Sequence, residues 1–164
     1  MKTRTVKFFA LAGVLAVSLS GCSLVAPVAT TKPYSASDGI NQDINGINLR
    51  NIMLVGAKSG KPLNVVFTAV NNTGDPQIAT MKFIGSDGTE AQVKFLVPEG
   101  VTQYGDPRGA AENINWVDLG AQEIGSTATA YLQVSGSNEE RVNVPVLDGT
   151  LDEYKPYAVT PPKN

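Results

Sequence analysis

The feature that most constrains the fold is an alternation of apolar and polar residues with a period of two. In each of four segments, every second side chain is apolar. Strands with one buried face show this pattern, because successive side chains of a strand point to opposite sides of a sheet. The four segments are LNVVFTA (63–69), AQVKFLV (91–97), ATAYLQV (128–134) and RVNVPV (141–146).

Two further runs, INLRNIMLV (47–55) and QIATMKFIG (77–85), have a weaker period and are also predicted to be strands. Segments rich in Gly, Pro, Asn and Asp separate the strands, as turns do. Short strands at this spacing predict an all-β fold, an antiparallel immunoglobulin-like β-sandwich of about seven strands. Pro145 has no N–H to donate, so its strand is predicted to be an edge strand or to be interrupted there.

The N-terminal segment has the composition of an export signal. Lys2, Arg4 and Lys7 precede an apolar run that extends from Phe8 to Leu19. A helix needs about 20 apolar residues to cross a bilayer, so this run is too short for a permanent span. A basic start, a short apolar run and small residues after it are typical of a secretory signal peptide, which we predict for residues 1–21.

The segment Leu19-Ser20-Gly21-Cys22 resembles the lipobox of bacterial lipoproteins. The resemblance implies that the Cys22 thiol receives a diacylglyceryl group and that cleavage leaves Cys22 as the mature N-terminus. Two acyl chains give stable attachment to a membrane. We therefore expect a lipid-anchored protein at the extracytoplasmic face of the cell membrane. The alternative is an ordinary secreted protein whose signal ends near the only cysteine of the chain.

The mature chain is expected to form one domain. Residues 22–33 contain two prolines and are rich in small and hydroxyl residues, and we interpret them as a flexible tether. The sandwich domain is predicted for residues 34–157, and a disordered tail for 158–164. The signal peptide removes three of the 13 basic residues and none of the 15 acidic ones, so the mature net charge is −5. This charge disfavours nucleic acid as a partner.

The stretch from Tyr34 onward is similar to small actinobacterial lipoproteins of the LpqE type. The similarity rests on Tyr34, Asp38-Gly39, the Gly-Ile-Asn-Leu-Arg-Asn strand at 46–51 and Val-Asn-Asn at 70–72. It implies an exported, lipid-anchored, immunoglobulin-like domain. This family is loosely related to periplasmic copper chaperones, which raises a copper carrier as an alternative function.

Residues that could hold a metal or perform catalysis are few. The chain has no histidine, and only Met53 and Met81 remain as methionines after cleavage. Two thioethers alone are a poor Cu(I) site, and methionines in apolar strands are usually core residues. Residues 41–46 match the start of a calcium loop, but Ile52 stands where the bidentate Glu is required, which favours a polar turn. The sequence therefore predicts no metal site and no cofactor.

The longest connection, residues 104–120, carries the densest cluster of charges. Functional residues of a sandwich usually lie in such loops. Its carboxylates could in principle perform acid–base catalysis, and its tryptophan is expected to be a core residue rather than a ligand platform. We favour a non-catalytic protein, not an enzyme, that binds another protein or envelope component. The candidate partner-binding residues are Asp106, Arg108, Glu112, Trp116 and Asp118.

Overall fold

The computed structural model describes residues 36–57, 61–159 and 161. The predicted signal peptide, the tether and Cys22 lie outside the described residues. Within the described part, no helix is long and apolar enough to cross a membrane.

The described chain is almost entirely β-structure, which confirms the predicted fold class. Two single 3₁₀ turns, Ala111–Asn113 and Lys155–Tyr157, are its helical elements. Its strands are β1 (Ile40–Ile44), β2 (Ile47–Gly56), β3 (Leu63–Asn71), β4 (Gln77–Ile84), β5 (Glu90–Val97), β6 (Gly100–Tyr104), β7 (Trp116–Val117), β8 (Thr127–Val134) and β9 (Glu140–Asp148).

Hydrogen bonding joins the strands in the order β5-β4-β8-β9-β2-β3-β6, with β1 paired to β2 and β7 paired to β3. The sheet is mixed rather than purely antiparallel, because β2 and β9 run parallel over Leu54–Gly56 and Val146–Asp148. This pair connects two antiparallel halves. It forms between the second and the last strand in sequence, a distant pairing that local periodicity does not reveal.

Pro145 lies directly before the point where β9 begins to pair with β2. Its Cα partner on β8 is Thr127, whereas the pairing of β9 with β2 begins only at Val146. A proline cannot donate to a ladder, so the absence of a β2 partner at this residue costs no hydrogen bond. β9 nevertheless continues without a break through Pro145 and lies between β8 and β2, so the prediction of an edge strand or an interruption there is wrong.

The sheet curls until its two terminal strands approach each other. The Tyr104 hydroxyl on β6 donates to the Leu96 carbonyl oxygen on β5 over 2.5 Å. Phe67 on β3 stacks on Tyr104 with ring centroids 4.4 Å apart and meets Phe95 on β5 edge-on at 4.8 Å. One core cluster thus receives side chains from both halves, as in a sandwich.

The period-two pattern identified the inward faces correctly. The predicted inward residues of β3 and β8 are buried, and so are Phe95, Val97, Val144 and Val146. On β3, however, the alternate residues Asn64 and Val66 are also buried. Half-buried Tyr154, Tyr157 and Ala158 belong to a second apolar cluster with Met53, Val55 and Val66. The C-terminal segment therefore covers the outer face of β2 and β3.

Two residues beyond Tyr157 contact the domain. The Ala158 N–H donates to the Tyr154 carbonyl oxygen over 3.2 Å. The Val159 carbonyl oxygen accepts a hydrogen bond from Trp116 Nε1 over 3.2 Å. A domain fragment intended for experiments therefore needs Val159.

The segment that partly matches a calcium loop is a hairpin turn. Ile44 and Ile47 are Cα partners, so Asn45 and Gly46 form a two-residue connection between β1 and β2. Their φ values are +49° and +80°. A type I′ hairpin turn requires positive φ at both positions, and Asn-Gly is its preferred sequence.

Candidate functional site

The loop between β6 and β7 is fixed at both ends to the rest of the sheet. Gly105 has a φ of +79°, and a Cβ there would lie 2.5 Å from the Val65 carbonyl oxygen, so only glycine fits. The Gly105 N–H donates to the Asn113 carbonyl oxygen, and the Val65 N–H donates to the Asn115 carbonyl oxygen, both over 2.9 Å. The first bond closes the loop on itself, and the second holds its end against β3.

Asp106 and Arg108 form a bidentate ion pair within this loop. Arg108 Nε lies 2.9 Å from Asp106 Oδ1, and Arg108 Nη2 lies 2.8 Å from Oδ2. Hydrogen bonds from the Arg108 side chain and backbone hold the pKa of Asp106 below its ordinary value. Asp106 is therefore a carboxylate that stiffens the loop and a poor proton donor.

The other carboxylates do not join Asp106. Asp118 follows β7, and its Oδ1 accepts a hydrogen bond from the Gly120 N–H over 3.0 Å, an Asx turn. Glu112 lies exposed in the 3₁₀ turn. Among the described residues, no three His, Cys, Asp or Glu side chains are grouped so that they could hold a metal ion.

The surroundings of Trp116 indicate a structural role rather than an exposed surface on which a ligand could stack. It is half-buried on β7, where its Cα partner is Asn64. Its indole N–H is already used by the Val159 carbonyl oxygen. Tryptophan combines a large apolar surface with one donor, and both are engaged here.

A cavity of about 460 Å³ lies where β5, β6 and the 105–115 loop meet. Its volume falls within the range of small-molecule sites, about 300–1,000 Å³. The wall combines a cation, an anion, hydroxyls and amides with apolar surface. Residues that line it include Lys94, Leu96, Thr102, Tyr104, Glu112 and Asn115.

Tyr104 is a buried residue in the wall of this cavity. Burial raises the pKa of its hydroxyl to about 12. The hydroxyl is protonated at neutral pH, as in any tyrosine, and donates its hydrogen bond to the Leu96 carbonyl oxygen. The cavity wall is therefore fixed by this contact between the two terminal strands.

The structure brings only one of the five predicted partner-binding residues to the cavity. Glu112 lines it, whereas Arg108 and Asp106 pair elsewhere in the same loop. The sequence did not identify Lys94, Thr102 and Tyr104, because they lie on strands whose meeting depends on the curl of the sheet. One sequence signal could have indicated that β5 and β6 are adjacent along the chain, namely the short Pro98-Glu99 connection between them.

The methionines do not form a metal site. Met81 is fully buried in the main core, and Met53 lies in the separate cluster beneath the C-terminal segment. The two thioethers are thus buried in separate apolar clusters. The described residues thus provide no ligand set of the kind that Cu(I) prefers.

No protein-family model and no curated protein matches the chain. Solved structures that resemble it include two PCuAC domains. The apo PCuAC domain of PmoF2 is 14% identical, with 68% of this chain and 98% of that chain covered and a TM-score of 0.48. The copper-bound PCuAC domain from PmoF2 is also 14% identical, with 66% and 98% covered and a TM-score of 0.44. A likeness at this level does not transfer copper binding to this chain.

Proposed function

We propose that this protein is a lipid-anchored, non-catalytic binding protein at the extracytoplasmic face of the cell membrane. Its domain would bind another envelope component in the cavity between β5, β6 and the 105–115 loop. The observation that carries the proposal is this cavity, with Lys94 and Glu112 among the residues that line it. A site with both signs of charge, hydroxyls and apolar surface can orient a ligand without performing chemistry on it.

The arrangement of the carboxylates supports binding rather than catalysis. Acid–base catalysis by two carboxylates needs both groups at one cleft. Asp106 is held by Arg108, and Asp118 is held by the backbone of its own turn. Glu112 is the one acid of the loop that lines the cavity.

A copper carrier is the second candidate function. The resemblance of the sequence to LpqE-type lipoproteins and the PCuAC neighbours raise it. Among the described residues, the positions of Met53 and Met81 argue against it. A stoichiometric Cu(I) complex of the mature chain would favour this second candidate over the first.

Substitution of Cys22 tests the anchor. Cys22→Ala removes the thiol that would carry two acyl chains, so we expect the protein to leave the membrane fraction. Fractionation and intact-mass measurement of the wild-type and variant chains provide the readout. An unlipidated wild-type mass, or a variant that remains in the membrane, would disprove the anchor.

A photo-reactive amino acid placed at Asn113 tests the cavity in intact cells. Asn113 lines the cavity, so irradiation should give one recurrent adduct, and Glu112→Gln should reduce its yield several-fold. The matched control is the same amino acid at Asn138, an exposed residue in the β8–β9 turn. Identical adducts at both positions would mean that the cavity has no specific ligand.

A further inference from the structure

The outer face of β5, β4, β8 and β9 is the second surface with a distinct chemistry. Its central row crosses all four strands in register. Gln92 is opposite Lys82, Lys82 is opposite Tyr131, and Tyr131 is opposite Arg141. We call the outward side chains of these strands the basic face. They belong to the following residues: 78, 80, 82 and 84; 90, 92, 94 and 96; 127, 129, 131 and 133; 141, 143 and 145.

The sign of this face is opposite to that of the chain. It holds Lys82, Lys94 and Arg141, with Glu90 as its acid, so its net charge is +2. The mature chain has a predicted net charge of −5. Lys82 Nζ lies 3.9 Å from Glu90 Oε2, and both side chains are partly exposed, so this pair neutralises little of the positive charge.

Tyr131 lies between the cations. Lys82 Nζ is 5.3 Å from the centroid of the Tyr131 ring, and Arg141 is the cross-strand neighbour on the other side. The ring is half-buried, which leaves part of it accessible for stacking. Thr80, Thr129, Gln92 and Gln133 around it provide hydroxyl and amide groups for hydrogen bonds.

Sheet geometry gives the spacing of the charges. Neighbouring strands lie about 4.8 Å apart, so two strand steps separate Lys82 from Arg141 by about 10 Å. Lys94 is a diagonal neighbour of Lys82, at about 7–8 Å. The three cations thus spread across one face of the sheet rather than converge on a single anion. Such a distribution matches a ligand with several negative charges along its length.

We propose that the basic face binds an extended anionic polysaccharide through its phosphate or carboxylate groups. The cations would hold the charged groups, and Tyr131 with its polar neighbours would contact the sugar rings. The inference rests on the proposed extracytoplasmic placement, where such polymers occur. Lys94 belongs both to this face and to the cavity wall, whereas Lys82, Tyr131 and Arg141 do not line the cavity.

A narrow polymer fits this surface better than an anionic bilayer does. The exposed aliphatic side chains of the face, Ile78 and Leu96, are directly opposite each other at one end, so its centre has no aliphatic side chain to insert into lipid. An anionic plane would also meet the repulsion of the whole negative chain. A single polymer contacts the basic face alone.

Arg141→Glu tests the proposal in the full chain, purified in detergent. The probe is polygalacturonate, with neutral dextran as the uncharged comparison. We expect Arg141→Glu to bind polygalacturonate at least tenfold more weakly than the wild-type chain does. The wild-type binding should weaken as the salt concentration rises, and the wild-type chain should not bind dextran. Arg141→Gln should give a smaller loss, and circular dichroism should show both variants folded, because Arg141 is exposed.

Lys155→Glu is the matched control. It changes the net charge by the same amount but lies outside the basic face, where Lys155 pairs with Asp152. An equal loss of affinity in Lys155→Glu would mean that overall charge governs binding, which would overturn the proposal. Stronger binding to vesicles of phosphatidylglycerol than to polygalacturonate would overturn it in favour of a lipid surface.

The cavity and the basic face can fail separately. Glu112→Gln, in the cavity, should not weaken polygalacturonate binding, and Arg141→Glu should leave the adduct at Asn113 unchanged. Loss of polymer binding in Glu112→Gln would assign the polymer to the cavity and overturn the basic-face proposal.

Discussion

Replacement of Phe67 by alanine should lower the free energy of unfolding by about 3–5 kcal/mol, the usual cost of removing a buried aromatic side chain. Phe67 is 2% exposed and contacts the rings of Phe95 and Tyr104. Its loss leaves a cavity at the place where β3, β5 and β6 meet. Urea denaturation of the two proteins, monitored by circular dichroism, measures the difference.

Val101→Ala is the control for this experiment. Val101 is an apolar residue on β6 that is 70% exposed, so its truncation should change stability by less than about 0.5 kcal/mol. A loss below about 1.5 kcal/mol for Phe67→Ala would show that the aromatic cluster does not hold the two halves of the sheet together.

Asn71→Ala should destabilise the domain by about 2–4 kcal/mol, because it leaves several buried polar groups without partners. Asn71 is 1% exposed. Its Nδ2 donates to the Asp75 and Val97 carbonyl oxygens over 2.9 and 3.0 Å. Its Oδ1 accepts from the Thr73 N–H over 2.9 Å. One side chain therefore joins the end of β3, the turn after it and the end of β5.

Thermal unfolding of Asn71→Ala and Asn72→Ala measures this contribution. Asn72 is the exposed neighbour, and its replacement should leave the melting temperature nearly unchanged. Equal melting temperatures for the two variants would show that water replaces the hydrogen bonds of Asn71 and that the side chain has no structural role.

The sequence predicted which face of each long strand is buried better than it predicted which strands pair with each other. Alternation identified the buried sides of β5 and β8, because period two is a local property. It did not identify β7, which has two residues, or the burial of Asn64 beneath the C-terminal segment. Partners that are distant in sequence decide both of these features.

The candidate site divides in the same way. Asp106 and Arg108 are two positions apart in one loop, so their proximity follows from the sequence alone. The meeting of Lys94, Tyr104 and Glu112 needs the curl of the whole sheet. No pattern within one segment contains that information.

The parallel pairing of β2 with β9 has a consequence for the order of folding. β9 is the last strand along the chain, yet it lies in the middle of the sheet and is the link between the halves. A chain that emerges N-terminus first, from a ribosome or across a membrane, must wait for residue 148 before its halves can join. Such late, long-range closure predicts slow folding, with an incomplete sheet present until β9 joins β2.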